Sequence, residues 1–189
     1  KGHFYDGGSM ASTPAGEVYA AFVDVSSSVV RVWRAAKHDA QFELLANPFP
    51  GLIAATHPRL RASRDGWLYA AVTVVDQGGF IVYVNRYRNG QWAKAVQASE
   101  HTVSYPEVNL GTTVQGAALN IRTGPQYSFD VGAASEGGND ALRFLYTRRS
   151  SSGRLYVEGS ACAADLSGCH PVPGWKAGPS APDATPLDV

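Results

Sequence analysis

Apolar residues fall along this chain in short runs separated by glycine, asparagine and proline, and two of the runs are copies of earlier ones. Gly16-Glu17-Val18-Tyr19-Ala20-Ala21-Phe22-Val23 returns as Gly66-Trp67-Leu68-Tyr69-Ala70-Ala71-Val72-Thr73, so the glycine, the tyrosine and the alanine pair recur at an offset of 50. Val29-Val30-Arg31-Val32-Trp33-Arg34 is echoed by Ile81-Val82-Tyr83-Val84-Asn85-Arg86 at an offset of 52, and Phe42 is echoed by Trp92. Repeats of about 40 to 50 residues that each hold several short strands are the mark of β-propeller blades.

Three units follow. The first spans about 4–51, with strands expected near Ser9–Ser12, Val18–Val25, Val29–Ala35 and Phe42–Leu45. The second spans about 52–101, with strands near Arg59–Ser63, Leu68–Val74, Phe80–Tyr87 and Ala93–Ala98. Each reads as a four-stranded meander. Within the second, Arg88-Asn89-Gly90-Gln91 is a hairpin signal, because both central positions of a type I′ turn need positive φ. The third unit, about 102–175, starts at Tyr105-Pro106-Glu107-Val108, a counterpart of His57-Pro58-Arg59-Leu60, and inserts an extra apolar piece, Gly116–Arg122. Its remaining strands are expected at Tyr127–Ala133, Leu142–Arg148 and Arg154–Gly159. Residues 176–189 are rich in Gly, Pro, Ser, Ala and Asp and are expected to form a flexible linker or arm. The best helical window, Ala35 to Leu45, has irregular apolar spacing and reads as strand by analogy with the second unit.

Composition agrees with an all-β chain. Twenty glycines, eleven prolines, nine tyrosines and four tryptophans suit short strands and tight turns. Sixteen basic residues balance sixteen acidic ones, so no long-range field draws nucleic acid or an anionic membrane. No apolar run approaches the roughly 20 residues of a membrane-spanning helix. The opening Lys1-Gly2-His3-Phe4-Tyr5 is neither a signal peptide nor an initiator, which suggests a processed product or an excised piece of a longer protein.

Pro58-Arg59-Leu60-Arg61-Ala62-Ser63-Arg64-Asp65-Gly66-Trp67-Leu68-Tyr69, followed by an alternating strand and a turn ending in tryptophan, resembles the blade pattern of secreted sialidase-like propellers. The turn Asn85-Arg86-Tyr87-Arg88-Asn89-Gly90-Gln91-Trp92 keeps the glycine and tryptophan of that family's Asp-box but lacks its serine and aspartate, so the box is degenerate. The resemblance implies a β-propeller portion of about three four-stranded blades. Three blades do not close a ring, and an open arc leaves sheet edges exposed. The expected partner is therefore a companion fragment of the same precursor, or a second copy in a homo-oligomer; a two-sheet sandwich is the single-chain alternative.

The same resemblance implies where catalysis would sit. Sialidases hold a carboxylate with three arginines and use a Tyr/Glu nucleophile pair with an acid/base Asp; Arg59, Arg61 and Asp65 are the candidates it offers here. Alternate arginines on one strand are equally the wet face of a half-exposed strand. The first unit has no matching arginine and the third has Glu107 and Asn109 there, so the trio is not assembled.

Other chemistry is sparse. Cys162 and Cys169, with six residues between them, are placed to close a loop by a disulfide, which fits an oxidising, secreted setting. The glycine-rich stretch from Asp130 to Asp140 offers Asp130, Glu136, Asn139 and Asp140 as oxygen ligands for calcium, or is a plain hairpin loop. No other cofactor is called for. The aromatics carry a stronger hint: Trp67 after a turn and Tyr105 in a loop, with Glu107 beside it, are suited to stack on and hydrogen-bond a sugar, whereas Trp33 and Trp92 are expected to pack between blades. The reading that results is a secreted propeller module recognising glycan or protein at a surface, with a sialidase-like glycoside hydrolase sharing its site between chains, or a purely structural segment, as alternatives.

Overall fold

The computed structural model describes residues 5–37, 40–76, 79–99, 107–114, 117–122, 127–132, 140–149 and 155–177. The protein is all-β, and no helix occurs among the described residues. Strands β1 (Tyr5–Ser12), β2 (Val18–Asp24), β3 (Val29–Ala35) and β4 (Glu43–Leu44) form the first antiparallel sheet in that order. The second sheet holds β5 (Ala55–Ala62), β6 (Leu68–Asp76), β7 (Gly79–Arg88) and β8 (Gln91–Trp92), with β9 (Val96–Gln97) also paired to β7. A hairpin of β10 (Glu107–Val114) and β11 (Ala117–Arg122) stands as its own two-stranded sheet. The third large sheet runs β12 (Tyr127–Val131), β13 (Asp140–Arg149), β14 (Leu155–Ala163) and β15 (Cys169–Ala177).

The internal repeat is visible in the backbone. Thr13 N donates to Glu17 O at 2.9 Å and Gly16 N to Thr13 O at 2.9 Å; Ser63 N donates to Trp67 O at 2.8 Å and Gly66 N to Ser63 O at 3.1 Å. Both turns need a left-handed residue at the same place, and both supply glycine, with φ of 83° at Gly16 and 87° at Gly66. The first strands bulge at matching points, between Asp6 and Ser9 in β1 and between Thr56 and Arg59 in β5. Asn89 and Gly90, at φ 52° and 83°, make the two-residue β7–β8 turn that the sequence predicts.

Two cores lie between the three sheets. Tyr19, Ala21 and Val23 of β2 with Val30 and Val32 of β3 pack against Leu60, Leu68, Ala70 and Val72 of the second sheet. The opposite face of β6, carrying Tyr69 and Ala71, joins Val82 and Val84 against Phe129, Leu142, Phe144 and Tyr146 of the third sheet. Alternation along β6 thus serves both cores, which is why that strand is apolar on both faces. The first strands of the three sheets lie side by side, β1 against β5 and β5 against β12. Leu60 N donates to Ser9 Oγ at 2.9 Å and Tyr127 Oη to His57 O at 2.7 Å, tying these neighbours together.

The third unit departs from its sequence reading. Among the described residues β10 and β11 pair only with each other, and the fourth strand of the third sheet is β15, a stretch read from sequence as lying beyond the strands. Pro171 and Pro173 argue against a central strand, but β15 is an edge, where a missing backbone donor costs no ladder bond. The disulfide between Cys162 and Cys169 is formed across paired positions of β14 and β15. In the second sheet the strand expected at Ala93–Ala98 is shorter, β9 at Val96–Gln97, and the two-residue β8 at Gln91–Trp92 precedes it. No helix of the described residues is long and apolar enough to cross a membrane.

Candidate functional site

At one end of the first two sheets, the β1–β2 turn, the β5–β6 turn and the β7–β8 turn enclose a polar cleft of about 410 Å³. Its centre is built from β2 and β3. Glu17 leaves the turn just before β2, and Arg34 ends the neighbouring strand opposite Tyr19, so the backbone register alone brings the three together. Arg34 Nε and Nη2 donate to Glu17 Oε1 at 2.9 and 2.5 Å, a charge-assisted contact on one oxygen. Tyr19 Oη donates to Glu17 Oε2 at 3.1 Å. Burial first, then the adjacent Glu17 charge, pushes the Tyr19 phenol far above its usual range, so it stays a proton donor at neutral pH. The hydrogen bond to Glu17 likewise raises Arg34, which remains a cation.

Arg64, Asp65, Arg88 and Asn89 of the second sheet's turns complete the lining. Tyr87 stands edge-on to Tyr19 with ring centroids 6.0 Å apart, and both rings are buried, so the cleft presents hydroxyls and guanidinium groups. The arrangement can donate hydrogen bonds to a carboxylate or to hydroxyls.

The sequence-derived candidates are dispersed. Asp65 lines the cleft, whereas Arg59 and Arg61 lie on β5 and do not. Arg61 Nη1 donates to Leu60 O at 2.8 Å, its Nε lies 3.7 Å from Asp130 Oδ1, and its guanidinium sits 5.7 Å from the Phe129 ring centroid. Arg59 Nη1 reaches Pro58 O at 3.4 Å. Asp130, a calcium candidate, therefore meets an arginine, and also accepts from Val131 N at 2.9 Å. Asp140 opens β13; Glu136 and Asn139 lie outside the described residues. Among the described residues no group of three or more His, Cys, Asp or Glu could hold a metal.

Trp67 is half-buried, with the Arg86 guanidinium 4.3 Å and the Arg88 guanidinium 5.2 Å from its ring centroid. Tyr105 lies outside the described residues, and Glu107 is described only as the first residue of β10, opposite Arg122. Sequence reasoning missed Glu17, Tyr19, Arg34 and Arg64. The available signal was the one charged exchange inside the copied stretch, glutamate at 17 where the second copy has tryptophan.

No protein-family model matches this chain, and no curated protein matches it in sequence.

Proposed function

We propose that the three large sheets are consecutive blades of a sialidase-like, secreted β-propeller and that this portion is a recognition module for an acidic glycan, held by Arg64 and Arg88 in the cleft beside the Glu17–Tyr19–Arg34 group. Meandering sheets stacked face to face, with β1, β5 and β12 side by side, support the blade reading. The disulfide supports an oxidising setting. The observation that carries the function is the cleft itself: Glu17 already neutralises Arg34, which leaves Arg64 and Arg88 facing Asp65 and an excess of positive charge along the lining. Arginine's planar fork suits a sugar carboxylate, and the tyrosine and asparagine side chains suit hydroxyls.

The hydrolase reading has one feature in its favour, the Tyr19–Glu17 hydrogen bond, which sets a carboxylate base against a phenol, and one against it: Arg59 and Arg61 sit on β5 outside this cleft.

Isothermal titration with galacturonate oligosaccharides, beside neutral galactose oligosaccharides, tests the reading. Binding of the acidic series alone is expected, weakened about tenfold or more by either Arg64→Ala or Arg88→Ala, since a hydrogen bond to a charged group contributes about 1.5–3 kcal/mol. Equal response to both series, or release of free sugar, would overturn it.

A further inference from the structure

The first sheet has one face buried against the second sheet and one face open, and a row of the open face is apolar across all four strands, with the Arg31–Asp24 pair, 3.7 Å apart, beside it. Met10 of β1, Ala20 of β2, Trp33 of β3 and Leu44 of β4 are mutual register partners and so form a single row across all four strands. Phe22 and Tyr5 extend it, with Tyr5–Trp33 centroids 5.2 Å and Phe22–Trp33 centroids 5.8 Å apart. The Phe22 ring lies over Gly8, where a Cβ would stand 2.8 Å from it. A depression of about 440 Å³ on this face is lined, among the described residues, by apolar and aromatic side chains. Met10 is 63% and Leu44 52% exposed.

The repeat itself shows what such a face receives. At an offset of 50, Met10, Ala20 and Phe22 correspond to Leu60, Ala70 and Val72. Those three are 0%, 2% and 0% exposed, because the Tyr19-Ala21-Val23 face of the first sheet covers them. Leu60 is thus buried by the neighbour that Met10 lacks. The chain's other end is a poor occupant: the outer face of the third sheet carries Asp130 opposite Arg143 and Ser128 opposite Leu145, all exposed. Head-to-tail docking of a second copy would bring these exposed charged and polar side chains, in place of a Tyr-x-Ala-x-Val row, against Trp33 and Phe22.

We infer that the Met10–Ala20–Trp33–Leu44 face is the docking surface for one further sheet of this repeat, a sheet outside these 189 residues that presents a Tyr-x-Ala-x-Val strand toward it. The inference rests on reading the sheets as consecutive blades, but not on the ligand of the cleft. Buried apolar contact of this kind is the main favourable term in association.

A tandem chain tests it. A second copy of residues 5–54 is placed directly ahead of Tyr5, so that the new junction repeats the native join between Ala54 and Ala55; the added copy carries Phe22→Ser and Trp33→Gln to keep its own outer face polar and silent. Acrylamide quenching of the original Trp33, isolated by subtracting a Trp33→Phe version, is expected to fall several-fold, and binding of an apolar dye to fall with it. Adding Met10→Asp and Phe22→Asp to the original sheet is expected to undock the added copy and make it protease-sensitive, while the unfused chain with the same changes keeps its fold. The inference is overturned if Trp33 stays as quenchable as before, if the added copy is digested as an unfolded segment, or if the unfused chain is a dimer whose Trp33 is already shielded. Galacturonate binding, read separately on the unfused chain, distinguishes failure here from failure of the recognition site.

Discussion

The two copies of one backbone slot do different work. In the first, Glu17 takes Arg34 in a charge-assisted contact, Tyr19 donates to the same carboxylate, and the group opens onto a cleft. In the second, Trp67 stands where Glu17 would be and Arg86 sits against its ring at 4.3 Å. Tyr69 Oη and Arg86 Nη1 each donate to Ala164 O at 3.0 Å, in the disulfide-closed loop of the third sheet. Leu166 of that loop is buried in the second core. One exchange, carboxylate for indole, accompanies the change from an open polar site to a packed and plugged one. A repeat therefore preserves a geometry, and the side chain at one position in it decides whether that geometry recognises or merely holds.

The largest break in this contrast should come from the Cys162–Cys169 bond. Cys162→Ser with Cys169→Ser is expected to cost about 2–3 kcal/mol, the loop-closure entropy for so short a loop, in urea unfolding. Amide exchange should quicken at Tyr69 and Arg86 under native conditions, while Tyr19 and Arg34 keep their protection. Equal acceleration in both slots would mean that the loop does not brace the second one selectively.

Exchanging the deciding residue sharpens the comparison. Trp67→Glu should cost about 1–2 kcal/mol, from the lost cation–π contact and part of the ring's burial, and leave the fold intact by circular dichroism. Glu17→Trp, the reverse exchange, should close the cleft and abolish galacturonate binding with a smaller change in stability.

Alkaline pH gives the finest test. Burial raises the phenols of Tyr19, Tyr69 and Tyr127 above the ordinary value of about 10, so folding favours their protonated forms. Their contribution is fully present below about pH 10 and is lost as pH rises beyond it, because the unfolded chain ionises first. Urea midpoints should hold level to that pH and then fall. Glu17→Gln should lower the Tyr19 phenol's titration, followed by phenolate absorbance, since the carboxylate charge that helps to raise it is gone. An unchanged titration would remove Glu17 from the account of Tyr19.

Much of the backbone was legible in the chain. Gly16, Gly66 and Asn89-Gly90 mark turns by a local steric need, and they occupy left-handed conformations at those places. The cysteine pair was legible because its loop is short. The slot was not, because Glu17 and Arg34 are seventeen residues apart and meet only through the β2–β3 register. Trp92 does pack with the first core, as expected, whereas Trp33, expected between sheets, lies on the open face of the first one. Aromatic type signals burial without naming the neighbour that provides it. β15 escaped notice because its prolines read against a strand until its edge position is known.

Amide and side-chain chemical-shift mapping with a galacturonate oligosaccharide tests the difference between the two slots most directly. Saturable shifts at Glu17, Tyr19, Arg34, Arg64 and Asn89, with Trp67, Tyr69 and Arg86 unmoved, are the predicted result. Shifts centred on Trp67 and Arg86 instead, or none in either slot, would contradict the account.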